Sequence, residues 1–206
     1  NKDVVVGLGE IGLPLYKLLS KTFPTDGIDT INKLKKEKKS FQNLDVELLH
    51  FCIPYTTNFS SIIQKYTKKL NPKAIVIHST ISPKTTEKLQ KLLTIPVLYS
   101  ATRGVHKRMM SDLKRYTKFY SVYDSVLNSK SASKIFEKRM KKCNIKTKKL
   151  SDPLTLELAK IVVDTSYYGW LINYAQISKI ISNTYNVDFD EMWSFSDEIH
   201  KFLGNR

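Results

Sequence analysis

The sequence predicts an α/β chain: a doubly wound parallel sheet, then a long helix and a short helical segment. Three observations predict it. A glycine-rich turn, Gly7-Leu8-Gly9-Glu10-Ile11-Gly12, stands between an apolar run and an amphipathic stretch. Short apolar runs then alternate with helix-like stretches as far as Lys149, the rhythm of parallel strands joined by crossover helices. Beyond Pro153 only helical spacing is left.

The elements follow in order. Residues 3–7 form a buried strand, and residues 13–21 a helix with Leu15, Leu18 and Leu19 inward. Residues 26–29 make a short second strand. Residues 48–53 make a third, closed by Pro54, which has no amide to donate to a ladder. Residues 59–70 are helical, 74–78 a strand, 85–93 helical and 97–100 extended. Residues 118–122, 132–143 and 145–149 repeat strand, helix, strand. Residues 153–183 read as one continuous helix, about 45 Å long at 1.5 Å per residue. Pro153 suits its first turn, and Ser151 or Asp152 its cap. A shorter helix covers 189–202. Two regions are expected, 1–150 with the sheet and 151–206 as a helical linker or dimerisation segment opening a truncated second domain.

Composition excludes more than it assigns. Hydrophobic residues are 41% and charged residues 26% of the 206, as in ordinary globular chains. No apolar run approaches the roughly 18 residues that a membrane span needs. The net charge of +15 raises a nucleic-acid function, but only five of the 34 basic residues are Arg, at 103, 108, 115, 139 and 206. Lysine is a solvated point charge, whereas bidentate phosphate and base recognition leans on arginine. The lysines are also scattered, as in 33–39, 65–73 and 138–149. Nucleic acid is therefore not the expected partner; an anionic small molecule is. Cys52 and Cys143 have no metal-ligand spacing and fit a reducing, cytoplasmic setting. Residue 1 is Asn rather than Met, so a longer protein is expected.

The glycine turn carries the first chemistry. Gly-x-Gly-x-x-Gly directly after a strand and opening a helix is the Rossmann-type dinucleotide arrangement. Gly7 permits the tight turn, Gly9 lets backbone approach a pyrophosphate, and Gly12 lets helix pack on strand. Glu10 and Ile11 complete the turn, and the helix N-terminus offers amides and partial positive charge to phosphates. Asp29, 17 residues after Gly12, ends the second strand, where a carboxylate accepts ribose hydroxyls and repels a 2′-phosphate. NAD is the expected cofactor, although Lys33 and Lys35 keep NADP open.

Further segments extend the pattern: Cys52-Ile53-Pro54-Tyr55-Thr56, Ile77-His78-Ser79-Thr80-Ile81-Ser82-Pro83, Tyr99-Ser100-Ala101-Thr102-Arg103-Gly104 and Glu157-Leu158-Ala159-Lys160. With the glycine turn, this ordered set resembles the UDP-glucose/GDP-mannose dehydrogenase family over most of the chain. The resemblance implies oxidation of a nucleotide-sugar alcohol with NAD, a Rossmann domain, and a long central helix that dimerises. It places Pro54, Tyr55, Thr56, Ser79 and Thr80 along the cofactor, and Lys160 where an ammonium stabilises negative charge on the substrate oxygen. Arg103 is expected to grip a substrate diphosphate or carboxylate in a bidentate manner.

The chain also departs from that family. Asp164 stands one turn after Lys160 where the family has Asn; it would pair with Lys160 or accept a proton. The acid of the family's Ser-Pro-Glu loop is replaced in Ser100-Ala101-Thr102, and His106 in that loop is a candidate base. His50, His78 and His200 are expected to be structural. No Gly-Gly-x-Cys segment supplies the family's nucleophile, so a fragment of a longer enzyme is expected. A 3-hydroxyacid or 6-phosphogluconate-type dehydrogenase and a non-catalytic NAD- or nucleic-acid-binding protein remain as alternatives.

Overall fold

The computed structural model describes residues 2–29 and 45–203; Lys33, Lys35 and the basic run 33–39 lie outside the described residues. Five strands, β1 (Lys2–Val6), β2 (Thr25–Ile28), β3 (Val46–Phe51), β4 (Ala74–Ile77) and β5 (Val97–Tyr99), form a parallel sheet in the order β2-β1-β3-β4-β5. β1, β3, β4 and β5 are buried on both faces, which is why each is largely apolar in the sequence, whereas the edge strand β2 (Thr25–Ile28) is only partly buried.

The two faces divide by alternation. Val5, Leu48, Val76 and Leu98 point to one side, under α1 (Gly12–Leu19), α4 (Met109–Arg115) and α5 (Ser129–Lys142). Val4, Leu49, Phe51, Ile75, Ile77 and Tyr99 point to the other. There they meet α2 (Phe59–Leu70), α3 (Thr85–Leu92) and α6 (Pro153–Leu158). The expected doubly wound sheet is therefore present. The chain leaves β1 toward β2 on one side and returns to β3 on the other, so the strand order reverses between β1 and β3 and opens a crevice at their carboxyl ends.

Two features differ from the sequence expectation. First, β6 (Lys118–Tyr120) and β7 (Thr147–Lys149) pair parallel with each other, and an antiparallel bridge from Tyr99 to Ser121 joins them to β5. Short helical turns, His106–Arg108 in 3₁₀ form and then α4, precede β6 where the sequence showed only a loop. Second, residues 153–183 are not one α-helix. After α6 the chain runs as a π-helix over Ala159–Ser166 and resumes as α7 (Tyr167–Thr184). The β-branched run Ile161-Val162-Val163 crowds an α-turn. The wider i→i+5 turn relieves that crowding, and Ser166 Oγ donates to Ile161 O with the same five-residue spacing (3.0 Å). At the start of this run Asp152 is the cap, accepting from Leu154 N at 2.7 Å and Thr155 N at 3.3 Å, with Pro153 just inside.

The chain divides into two compact units, Asn1–Lys160 and Ile161–Arg206. In the second, α7 meets α8 (Phe189–Leu203) through Trp193, whose ring lies 6.1 Å from Tyr174 and 5.4 Å from Phe189. No described helix is long and apolar enough to cross a membrane.

Candidate functional site

At the β1/β3 switch point lies a cavity of about 640 Å³. Its floor is the glycine turn. Gly7 has φ +87°, and a Cβ there would sit 2.6 Å from Cys52 O. A Cβ on Gly12 would lie 1.7 Å from Gly7 O, so α1 can pack on β1 only through a glycine. Gly9 is different: a Cβ there would meet nothing within 4 Å. The protein's own packing gives no reason for glycine at this position, whereas a ligand lying on the turn does. The residues thus fit a dinucleotide pyrophosphate. Asp29, just past β2, accepts from Leu8 N at 2.7 Å, which ties the acid to the turn.

Of the eleven residues expected at the cofactor, ten line this cavity: Gly7, Gly9, Glu10, Ile11, Asp29, Pro54, Tyr55, Thr56, Ser79 and Thr80. Gly12 lies behind them, between helix and strand. The loops after β3 and β4 are braced together, since Ser79 Oγ donates to Ile53 O. Tyr55 stands on the ring of Phe59, centroids 5.2 Å apart, with its hydroxyl 3.2 Å from Thr85 Oγ1. Hydrogen bonds from Ser82 and Thr85 hold that phenol below its ordinary pKa.

The residues expected to act on substrate are more dispersed. His106 lines the cavity and its Nδ1 meets Glu10 Oε2. Arg103 is outside the lining: its Nη2 donates to Thr117 O at 3.1 Å, and the guanidinium lies 5.4 Å and 5.2 Å from the ring centres of Tyr116 and Phe119. Lys160 ends the first unit, half-buried, and its charge is felt by Lys118. Asp164 belongs to the second unit. Glu157, from the same segment as Lys160, is fully buried. Its carboxylate accepts from the amides of Lys84 and Thr86 and from Thr86 Oγ1 at 2.6 Å, fixing α6 against the start of α3.

Sequence reasoning missed a buried polar group beside the cavity. Lys118 opens β6, nearly solvent-free, and donates to Ser100 O and Thr102 Oγ1, both at 3.0 Å. Burial pulls its ammonium down to about 7. Thr102, where the resemblance has an acid, is therefore the acceptor for a lysine. Cys52 is held up to about 12 by burial, so its thiol stays protonated. His50 and His78 were expected to be structural, and they pair with each other, Nδ1 to Nε2 at 2.9 Å. Burial lowers both, His50 to about 3. Only their alternation with core residues signals this in the sequence.

No family model matches the chain, and no curated protein does. Solved structures do. The UDP-D-ManNAc dehydrogenase of Pyrococcus horikoshii superposes with a TM-score of 0.78 at 18% identity, over 96% of this chain and 58% of that one. The UDP-N-acetyl-mannosamine dehydrogenase of Staphylococcus aureus gives 0.67 at 18% identity with the same coverage. The likeness establishes the fold. A reductive aminase from Aspergillus terreus, solved with NADPH, shares it too, with a TM-score of 0.68 at 12% identity over 98% of this chain and 74% of its own. The chain thus spans somewhat over half the length of the two sugar dehydrogenases.

Proposed function

We propose that this chain is the NAD-binding part of a dehydrogenase that oxidises the alcohol of a nucleotide sugar. The supporting observation is the convergence of ten cofactor candidates on one cavity at the switch point, with Gly9 open toward it. The backbone of the glycine turn and the start of α1 would hold the pyrophosphate. Asp29 would take the adenosine ribose and disfavour a 2′-phosphate. The loops Pro54–Thr56 and Ser79–Thr80 would enclose the nicotinamide end. Bound NAD supplies the hydride acceptor. Lys160 stabilises negative charge on the substrate oxygen, and Arg103, oriented by Thr117 O, grips the substrate's diphosphate.

Similarity to two nucleotide-sugar dehydrogenases supports the substrate class. We further propose that residues 151–206 form a linker and dimer seam in which a second copy covers the apolar surface of α7 and α8. A cytoplasmic setting accords with Cys52 and Cys143, both free thiols.

The test uses the complete protein with NAD and a panel of nucleotide sugars. Turnover of one of them, reduced about a hundredfold or more by Lys160→Ala with NADH affinity unchanged, is the expected result. Turnover of a hydroxyacid with every nucleotide sugar inert would replace the proposal by its hydroxyacid alternative. NAD binding with no turnover of any alcohol would leave a binding protein.

A further inference from the structure

The lip of the cavity is closed by two side chains from distant parts of the chain. Glu10 comes from the glycine turn and His106 from the 3₁₀ turn after β5, and His106 Nδ1 meets Glu10 Oε2. Both line the cavity. Both are also mostly exposed, 64% and 61%, so the contact is a surface pair that parts at little cost. Beside it, α1 opens on Ile11 with no side-chain cap and with the positive end of its dipole; of its first-turn amides, Leu13 N is already taken by Gly9 O at 3.0 Å and Pro14 has none. The imidazole and the glycine turn therefore line one cavity, and of the two described carboxylates that line it, Asp29 accepts from Leu8 N while Glu10 meets the imidazole.

We propose that His106 is a ligand for the diphosphate of a dinucleotide, which displaces Glu10 as its hydrogen-bond partner. The proposal rests on the cofactor function proposed above and changes the role expected for His106 from base to diphosphate ligand. A phosphate oxygen is an anionic acceptor like a carboxylate oxygen, so the imidazole N–H that meets Glu10 suits either. With a diphosphate on the glycine turn, the Glu10 carboxylate faces like charge. Its exposure lets it swing to solvent and release His106. Glu10 then acts as a competitor built into the turn. It sets a threshold that a diphosphate crosses and that a nucleoside without one does not.

The test is calorimetric titration of the chain with NADH and with ADP-ribose, which carries the same diphosphate without nicotinamide. Four forms are compared: wild type, His106→Ala, His106→Arg and Glu10→Gln. All three substitutions are on exposed side chains, and matching thermal unfolding curves check that each variant is folded. His106→Ala is expected to weaken both ligands about tenfold, the scale of one hydrogen bond to a charged group, and His106→Arg to restore most of the loss. Glu10→Gln is expected to tighten both about threefold by removing the competitor. Wild-type affinity in His106→Ala, or weaker binding in Glu10→Gln, overturns the exchange while leaving the cofactor assignment standing. No NADH binding by the wild type overturns both.

Discussion

The two units of this chain solve the burial of apolar side chains differently. Among the described residues, the first unit exposes five large hydrophobic side chains: Tyr55, Leu92, Val105, Leu127 and Leu158. The second is less than a third as long and exposes fifteen, among them Tyr167, Trp170, Tyr174, Ile177 and Ile180 along α7. In the first unit the pleat sends the buried apolar residues of the strands into one of two layers. In the second, apolar positions are spread around α7 rather than confined to one stripe, so one neighbouring helix cannot cover them. A helix apolar on several sides belongs inside something larger. The lesson is that the first unit buries most of its large apolar side chains in its own layers, whereas the second, among the described residues, leaves many exposed, which is the surface that the proposed dimer seam would cover.

The strongest way to break the comparison is to attack closure in the first unit. Gly12→Ala places a methyl 1.7 Å from Gly7 O and should destabilise the chain by about 3 kcal/mol or more, read by urea denaturation. A variant as stable as wild type would mean that α1 does not sit tightly on β1.

Acid should act next, again through the first unit. His50 and His78 stay neutral when folded, while in the unfolded chain they take up protons near the ordinary histidine value of 6.5. Their contribution is present above that pH and is lost below it, as the unfolded state binds more protons. For His50, with its folded value near 3, the loss is about 2 kcal/mol by about pH 5. His78 adds to it. Asp3, raised to about 6 by burial against the opposing pull of Arg139, works the other way below that pH. A net fall in stability is expected from the two imidazoles against one carboxylate. His50→Leu/His78→Leu should flatten that limb, and an unaltered limb would show that the pair does not govern it.

The mildest perturbation sharpens the contrast. Trp170→Lys, at a side chain 75% exposed in the second unit, should weaken self-association about tenfold in sedimentation equilibrium. Leu127→Lys, at a side chain 79% exposed in the first, should change neither association nor stability beyond about 0.5 kcal/mol. A wild type that stays monomeric at high concentration would remove the contrast altogether.

How much of this was legible in the sequence depends on how local the cause is. β1, β3, β4 and β5 were legible because burial on two faces makes them largely apolar, and the gathering of ten candidates at one cavity was legible because strand ends at a switch point are where such sheets open a crevice. α4 was not: seven residues, Met109–Arg115, are too few for a helical period to stand out. The π-helix was hidden because Ile161-Val162-Val163 keeps apolar spacing whether the turn is narrow or wide. Lys118 looked like one more solvated lysine, and only the tertiary fold brings Ser100 O and Thr102 Oγ1 to its ammonium. Glu157 likewise became intelligible only once the amides at the start of α3 lay beside it.

Gly9 carries the central claim, because the fold gives it no reason to be glycine. The decisive measurement is NADH titration of wild type and Gly9→Val, with unfolding curves taken on both. Equal stability, one NADH bound per wild-type chain and binding lost in the variant is the predicted result. Undiminished binding by Gly9→Val, or none by the wild type, would contradict a pyrophosphate seat on this turn.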